Sequence, residues 1–310
     1  MLTRQTVILA KEESTYRTDP SPAVSADEVM VEEPAWSLVG RGMAERAGVR
    51  ETLAPFQPLH AGELFQVTFS AELKGSGAAG TPPEIGAILQ ACAMSETIDP
   101  GVSVTYKPVS AQSSQKSVTI YFYRAGKLFI MSGARGDVSF ELGVGKPAMA
   151  SFTFTGHLIS ETDVSLVSPT YSSEVPPIMI GMSGLAFDTE SPAASTISIA
   201  LGNEVAQPED IVQANGYGEI RISNRRVTGS IDIEDKLVAD YDFLTKWKTN
   251  ATFAIDTGAI GSAGNQVRFT VGKASITEQS AGDKSGIVVR NASFIGLETS
   301  GDDEVSVIFT

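Results

Sequence analysis

The chain has 310 residues, with 23 basic against 37 acidic side chains and a formal net charge of −14. The acidity is spread over both halves, net −5 for residues 1–165 and −9 for residues 166–310; this excludes wrapping a nucleic-acid duplex, because such binding depends on Lys and Arg displacing counterions. The single cysteine, Cys92, excludes an intrachain disulfide, and the length points to two domains of about 150 residues, each able to bury its own core.

Residues 1–28 open with charge and continue into the turn-rich piece Thr18-Asp19-Pro20-Ser21-Pro22. They predict an N-terminal arm, either flexible or ordered against a neighbouring subunit. Val7–Ala10 is too short for a signal-peptide core, and no window approaches the ~18 apolar residues of a membrane span. The expectation is a soluble chain with no membrane partner. Residues 29–165 form the first predicted domain. Within it Gly40–Arg50 is glycine-punctuated and basic through Arg41, Arg46 and Arg50, and reads as a long loop or hairpin tip that also carries Met43 and Val49. Val67–Leu73 alternates apolar with polar residues, the period of a strand with one buried face. Thr81, Pro82 and Glu84 have the spacing of a helix start with a capping box. Ile85, Ile88, Leu89 and Cys92 would then form one buried stripe, making Cys92 a core residue. Val118–Tyr123 and Leu128–Met131 flank a hairpin turn, and Val138–Leu142 leads through Gly143–Pro147 into Ala148–Leu158.

Residues 166–177 are proline- and serine-rich and read as a linker. The second predicted domain spans 178–310. Residues 188–210 are expected to mirror the long loop of the first domain, but acidic, with Glu204, Glu209 and Asp210 among their charges. A second helix is expected over Leu237–Trp247, a hairpin turn at Gly264-Asn265, and a solvated acidic turn at Asp302-Asp303-Glu304 before a last strand, Val305–Phe309.

The chemistry of catalysis is missing. His60 and His157 are the only histidines and stand in unrelated contexts, and no Gly-x-Ser-x-Gly elbow, P-loop or dinucleotide fingerprint occurs. The chain therefore reads as a non-enzyme without cofactor or metal. What it has instead is a repeat. Val67-Thr68-Phe69-Ser70-Ala71-Glu72-Leu73 and Val227-Thr228-Gly229-Ser230-Ile231-Asp232-Ile233 share Val, Thr, Ser and an acid followed by an aliphatic. Each is followed by a helix, a hairpin and a strand ending Phe-x-Gly, at Phe154–Gly156 and Phe294–Gly296. One β module used twice is the reading, and such a protein is an assembly part more readily than an enzyme.

The opening Val7-Ile8-Leu9-Ala10-Lys11-Glu12-Glu13-Ser14-Thr15-Tyr16-Arg17-Thr18-Asp19-Pro20 resembles the start of the tail tube (major tail) proteins of long-tailed bacteriophages, with Arg17 where that family usually has glycine. The resemblance implies a mainly β fold of two tandem β-sandwich tail-tube domains, each with one short flanking helix. It implies rings, trimeric and pseudo-hexameric for a chain with two modules, stacked into a tube in the virion tail after assembly in the host cytoplasm. Partners would be other copies of the chain, the tape measure, terminator and distal tail proteins, and phage DNA passing without sequence-specific binding. Thr68, Ser70, Glu72, Thr228, Ser230 and Asp232 are then expected to face the lumen. Arg41, Met43, Arg46, Val49 and Arg50 would meet the next ring, together with Glu204, Glu209 and Asp210. The rivals are a hexameric tube subunit with a decorating second domain, and a β-sandwich adhesin or capsid-decorating protein.

Overall fold

The computed structural model describes residues 4–182 and 184–310; the first three residues of the predicted arm and Ser183 lie outside the described residues. The first half contributes β1 (Thr6–Glu12), β2 (Glu28–Val29), β3 (Glu32–Ala44), β4 (Leu59–Glu72), α1 (Gly86–Ala91), β5 (Met94–Asp99), β6 (Ser103–Pro108), β7 (Val118–Arg124), β8 (Lys127–Gly143) and β9 (Met149–Asp163). The second contributes β10 (Ala186–Phe187), β11 (Ala194–Ala200), β12 (Asn203–Ala206), β13 (Arg221–Arg225), β14 (Thr228–Glu234), α2 (Phe243–Lys248), β15 (Thr252–Asp256), β16 (Val267–Lys284), β17 (Ile287–Gly296) and β18 (Ser306–Phe309). The protein is mainly β, two tandem β-sandwiches with one short helix each.

The alternation read in the sequence sets the layers. In β4, Val67, Phe69 and Ala71 are buried while Thr68, Ser70 and Glu72 are only partly covered. In β14, Ile231 and Ile233 are buried, and Ser230 and Glu234 exposed. The apolar sets enter one core cluster that also holds Ile8 of β1, Phe122 of β7 and Ile88 and Leu89 of α1. Two long strands belong to both layers. The first part of β8 pairs with β7 and its last part with β11, with a register shift between. Likewise β16 pairs first with β15 and β18, then from Ala274 onward with β17, through a bulge at Ile276/Glu278. Bulges of this kind bend a strand and let it leave one sheet for another.

Among the described residues two strand ladders join the halves. The β8–β11 ladder fuses their polar-faced sheets, so that β3, β4, β9, β8, β11, β14, β17 and β16 are consecutive neighbours. On the other layer β6 of the first half adds to β18 of the second.

The repeat is present in the ladders, with a slip. Phe154 faces Val67 and Phe294 faces Gly229. Pairing Val67 with Val227 and Phe154 with Phe294 at once is therefore impossible, since the ladders equate Val67 with Gly229. A shift of two residues keeps every side chain on its face. Gly229 leaves room for its partner: a Cβ there would come within 2.3 Å of the Phe294 ring.

Several expectations are corrected. The N-terminal segment is no arm over residues 6–12, because Val7, Ile8, Leu9 and Ala10 are buried and β1 pairs along its length with β7. The capping box does not form, and α1 starts at Gly86 without a side-chain cap. Glu84 is drawn instead to Lys74, an ammonium 2% exposed that needs a counter-charge. The second helix begins at Phe243, where Asp242 accepts from the Thr245 amide at 2.9 Å, and Leu237 stays exposed ahead of it. Residues 188–210 are not one loop, since they hold β11 and β12; the counterpart of the β3–β4 connection is 201–227. Asp302 and Glu304 are not merely solvated, each lying 2.9 Å from the guanidinium of Arg225, itself 9% exposed.

Candidate functional surface of the continuous sheet

Register across the sheet decides which residues share a face. Ser70 lies opposite Ser151, Ser151 opposite Ser139, Ser139 opposite Ala200, and Ala200 opposite Thr228. Directly opposed residues point to the same side of a sheet. Thr68, Ser70 and Glu72 of the first half therefore share one face with Thr228, Ser230 and Asp232 of the second. A row of hydroxyls runs along it, with Ser70 Oγ 2.9 Å from Ser151 Oγ and Ser198 Oγ 2.7 Å from Ser230 Oγ. A shallow hollow on this face, between Ser139, Glu141, Ser198, Arg226, Thr228 and Glu278, straddles the seam.

The acids on this face differ. Among the described residues Glu72, Glu141 and Glu278 form no ion pair. Asp232 is committed: it accepts from the Ser195 amide at 2.7 Å and from the Ser195 hydroxyl, and its carboxylate lies 2.7 Å from Lys284 Nζ. Burial opposes its ionisation, but Lys284 and these donors outweigh that and hold its carboxyl below the usual range. Asp232 thus holds the start of β11 in place, and Glu141 and Glu278 supply the free negative charge that the repeat assigned to it.

The loops are brought together rather than mirrored. Arg41 donates from Nε to Glu209 at 3.0 Å, and its amide donates to the Tyr217 hydroxyl at 2.7 Å. Arg41 and Glu209, two of the opposite charges expected to meet between rings, therefore meet within one chain. Arg46 and Arg50 lie over the Phe56 ring, 5.4 and 4.4 Å from its centroid. Met43 and Val49 are exposed, as is Leu53, so the hairpin tip presents apolar surface. Glu204 lies in β12, and Asp210 accepts from the Val212 amide in a tight turn.

One cluster escaped the sequence reading. Glu13, 4% exposed, accepts from the hydroxyls of Ser117 (2.6 Å) and Thr119 (2.7 Å) and the amides of Gly133 (2.7 Å) and Arg17 (2.8 Å). Beside it the Tyr16 hydroxyl lies 3.3 Å from His157 Nε2 and accepts from the Ile220 amide, while His157 Nδ1 contacts Asn215 at 2.8 Å. Arg135 lies over Tyr16 and pairs with Glu219. Residues 13–17 thus tie strands of the first half to residues 213–220 of the second. Arg17 turns the chain with φ +61, a left-handed conformation that favours glycine, so the departure noted in the opening motif falls where a glycine would fit without strain. The signal for this cluster was available in the run Lys11–Arg17.

The model of the phage tail tube protein family matches residues 3–296, nearly the whole chain. The chain belongs to that family. No curated protein matches it at a significant level. As a member of the tail tube family it is a structural component of a phage tail, and the match spans the Glu13–Tyr16–His157 cluster, a buried clasp between the halves, as well as both halves of the continuous sheet. Cys92 fits the same account: it is buried and burial pushes its thiol well above the usual range, the state of a packing residue rather than a nucleophile.

Proposed function

We propose that this tail tube protein forms trimeric rings with pseudo-sixfold symmetry, stacked so that the hydroxyl-bearing face lines the channel that DNA crosses. The observation that carries this reading is the sharing of one sheet face by both halves. Two lumen modules per chain give six per ring from three chains, whereas a decorating second domain would have no reason to continue the inner sheet. The tape measure, terminator and distal tail proteins would be the partners inside and at the ends of such a tube. The reading also takes the tip of the β3–β4 hairpin, with Met43 and Val49, as the contact to the next ring. Its apolar side chains would supply adhesion, because rim ion pairs contribute about 0–1 kcal/mol each.

The wall is mainly hydroxyls and carboxylates; its cations are Arg226 at the seam and Lys284, which is paired with Asp232, so phosphates meet more negative than positive charge. Duplex DNA carries one charge per about 1.7 Å, and repulsion from Glu72, Glu141 and Glu278 would act within about 8–10 Å at physiological salt. It would keep the DNA mobile near the wall. Electron microscopy of purified protein at high concentration is the direct test, with tubes of threefold symmetry expected; true sixfold symmetry, or no rings at all, would sink the proposal. A second test changes Glu72, Glu141 and Glu278 to Lys together, leaving Asp232 in place. Tubes should still assemble but retain DNA at low salt, with release rising steeply with ionic strength. Ejection as fast as in the parent would remove the charge of this face from the account.

A further inference from the structure

The sheet that fuses the halves has two free edges, and the chain already contains a worked example of how they fit. Within the chain, β8 and β11 form an antiparallel seam with Ser139 opposite Ala200, Phe140 opposite Ile199 and Glu141 opposite Ser198. At the ends of the same sheet, among the described residues, β3 is paired only with β4, and over Thr277–Lys284 β16 is paired only with β17. The ladders make β3 the counterpart of β11, and the end of β16 the counterpart of the end of β8. Phe154 faces Gly136 on β8, and Phe294 faces Ile276 on β16. Beyond the bulge, Asp137 faces Thr153 as Glu278 faces Ser293, so Ser139 corresponds to Ser280. On the other strand Ile199 faces Gly229 as Trp36 faces Val67, so Ala200 corresponds to Ser37.

Burial says that these edges are unfinished. Leu201 and Ile199 are 0% and 1% exposed at the internal seam, while their counterparts Leu38 and Trp36 are 56% and 38% exposed. The same contrast holds for the helices: Ile88 and Leu89 of α1 are buried, but Leu244 and Trp247 of α2 are exposed. Trp247 Nε1 donates to the Thr277 carbonyl at 3.0 Å, which sets this apolar surface beside the free edge of β16. At the internal seam the chain leaving β11 reaches the corresponding place, where Asn203 Nδ2 donates to the carbonyls of Cys92 and Gly136. An unpaired strand edge flanked by exposed apolar side chains is a template for another strand.

We infer that β3 of one copy of this chain pairs antiparallel with the end of β16 of a second copy, in the register of the internal seam, with Ser37 opposite Ser280, Trp36 opposite Ala281 and Ala35 opposite Gly282. The neighbour's Trp36 and Leu38 then cover the β16 edge next to α2. This rests on the ring reading above and adds the two edges and their register. At the internal seam the Leu201 amide donates to the Val138 carbonyl and the Val144 amide to that of Ser195. Ser139–Ala200 is therefore a non-hydrogen-bonded pair, the kind whose side chains approach closest, and Ser37–Ser280 would be one too.

The test is a disulfide. In a Cys92→Ala background, the pair Ser37→Cys with Ser280→Cys should oxidise in assembled tubes to covalent multimers that collapse to monomer under reductant. Ala35→Cys with Gly282→Cys tests the same register at a second rung. Ser37→Cys with Ala281→Cys, whose side chains would point to opposite faces, should stay monomeric. Tubes in which both matched pairs remain monomeric would overturn the register, as would cross-linking of Ser37→Cys with Gly282→Cys instead. Neither result touches the tube reading, which fails separately if the Cys92→Ala parent forms no rings by electron microscopy.

Discussion

Replacing Glu13 by alanine should cost the fold about 3–5 kcal/mol, a large effect for a substitution outside the apolar core. The carboxylate is buried and accepts from two hydroxyls and two amides. Its removal leaves those donors facing a hole, and each buried donor left without a partner costs about 1–3 kcal/mol. Glu13→Gln keeps the volume and one acceptor but turns an NH2 toward two donors, and should fall between the two. Glu12 supplies the internal control. It is the neighbouring residue, its partner is the half-exposed Lys116, and surface pairs of that kind contribute about 0–1 kcal/mol. Calorimetric or denaturant unfolding of the three variants separates these outcomes. A Glu13→Ala protein as stable as Glu12→Ala would show that the clasp does not hold the halves together.

Acid should weaken the fold in a window set by His157. This histidine is fully buried against Tyr16 and Asn215. Burial, aided by the nearby Arg17 charge and opposed by Glu13, lowers its pKa from 6.5 to about 4. The unfolded chain thus takes up a proton near pH 6.5 that the folded chain refuses until about pH 4. The stability conferred by the neutral ring is complete above pH 6.5 and is lost progressively as pH falls to 4. At about 1.4 kcal/mol per pH unit, the loss is on the order of 3 kcal/mol. Asp232, Asp235 and Asp256 have pKa values held below the ordinary carboxylate range by their partners. They lose their contributions only at lower pH. Burial raises the carboxyl pKa values of Glu84 and Asp137, which take up protons in the folded chain and offset part of the decline near pH 4, so the loss of stability between 6.5 and 4 comes from the histidine. Unfolding followed across that interval should show the decline in the parent and a nearly flat profile in His157→Gln, once its own lower stability is subtracted. An equally steep decline in both would assign the acid sensitivity elsewhere.

The chain by itself determined its fold class and the sidedness of its strands. Alternation over Val67–Leu73 and Val227–Ile233 states which residues are buried, because a strand turns each successive side chain to the opposite face. The buried stripe of α1 and the core place of Cys92 followed from the same kind of periodicity. Only the tertiary structure decided the partners. Period two says nothing about which strand lies alongside, so the β8–β11 seam, and with it the single face shared by Ser70 and Ser230, could not be read from the residues. Local spacing also misled where a distant group intervened. Glu84 left its capping position for a buried lysine, and Thr6–Glu12 became a strand because β7 offered an edge. Charge behaved likewise. Arg41 and Glu209 are 168 positions apart and read as solvated loops of two domains, yet they pair because the 201–227 connection folds back over the first hairpin. Asp232 matched Glu72 in the repeat but is neutralised by Lys284, a residue that only the β16–β17 hairpin brings within reach. Side-chain type and spacing set what each segment can bury; which charges and edges remain free for assembly depends on contacts between segments far apart in the chain.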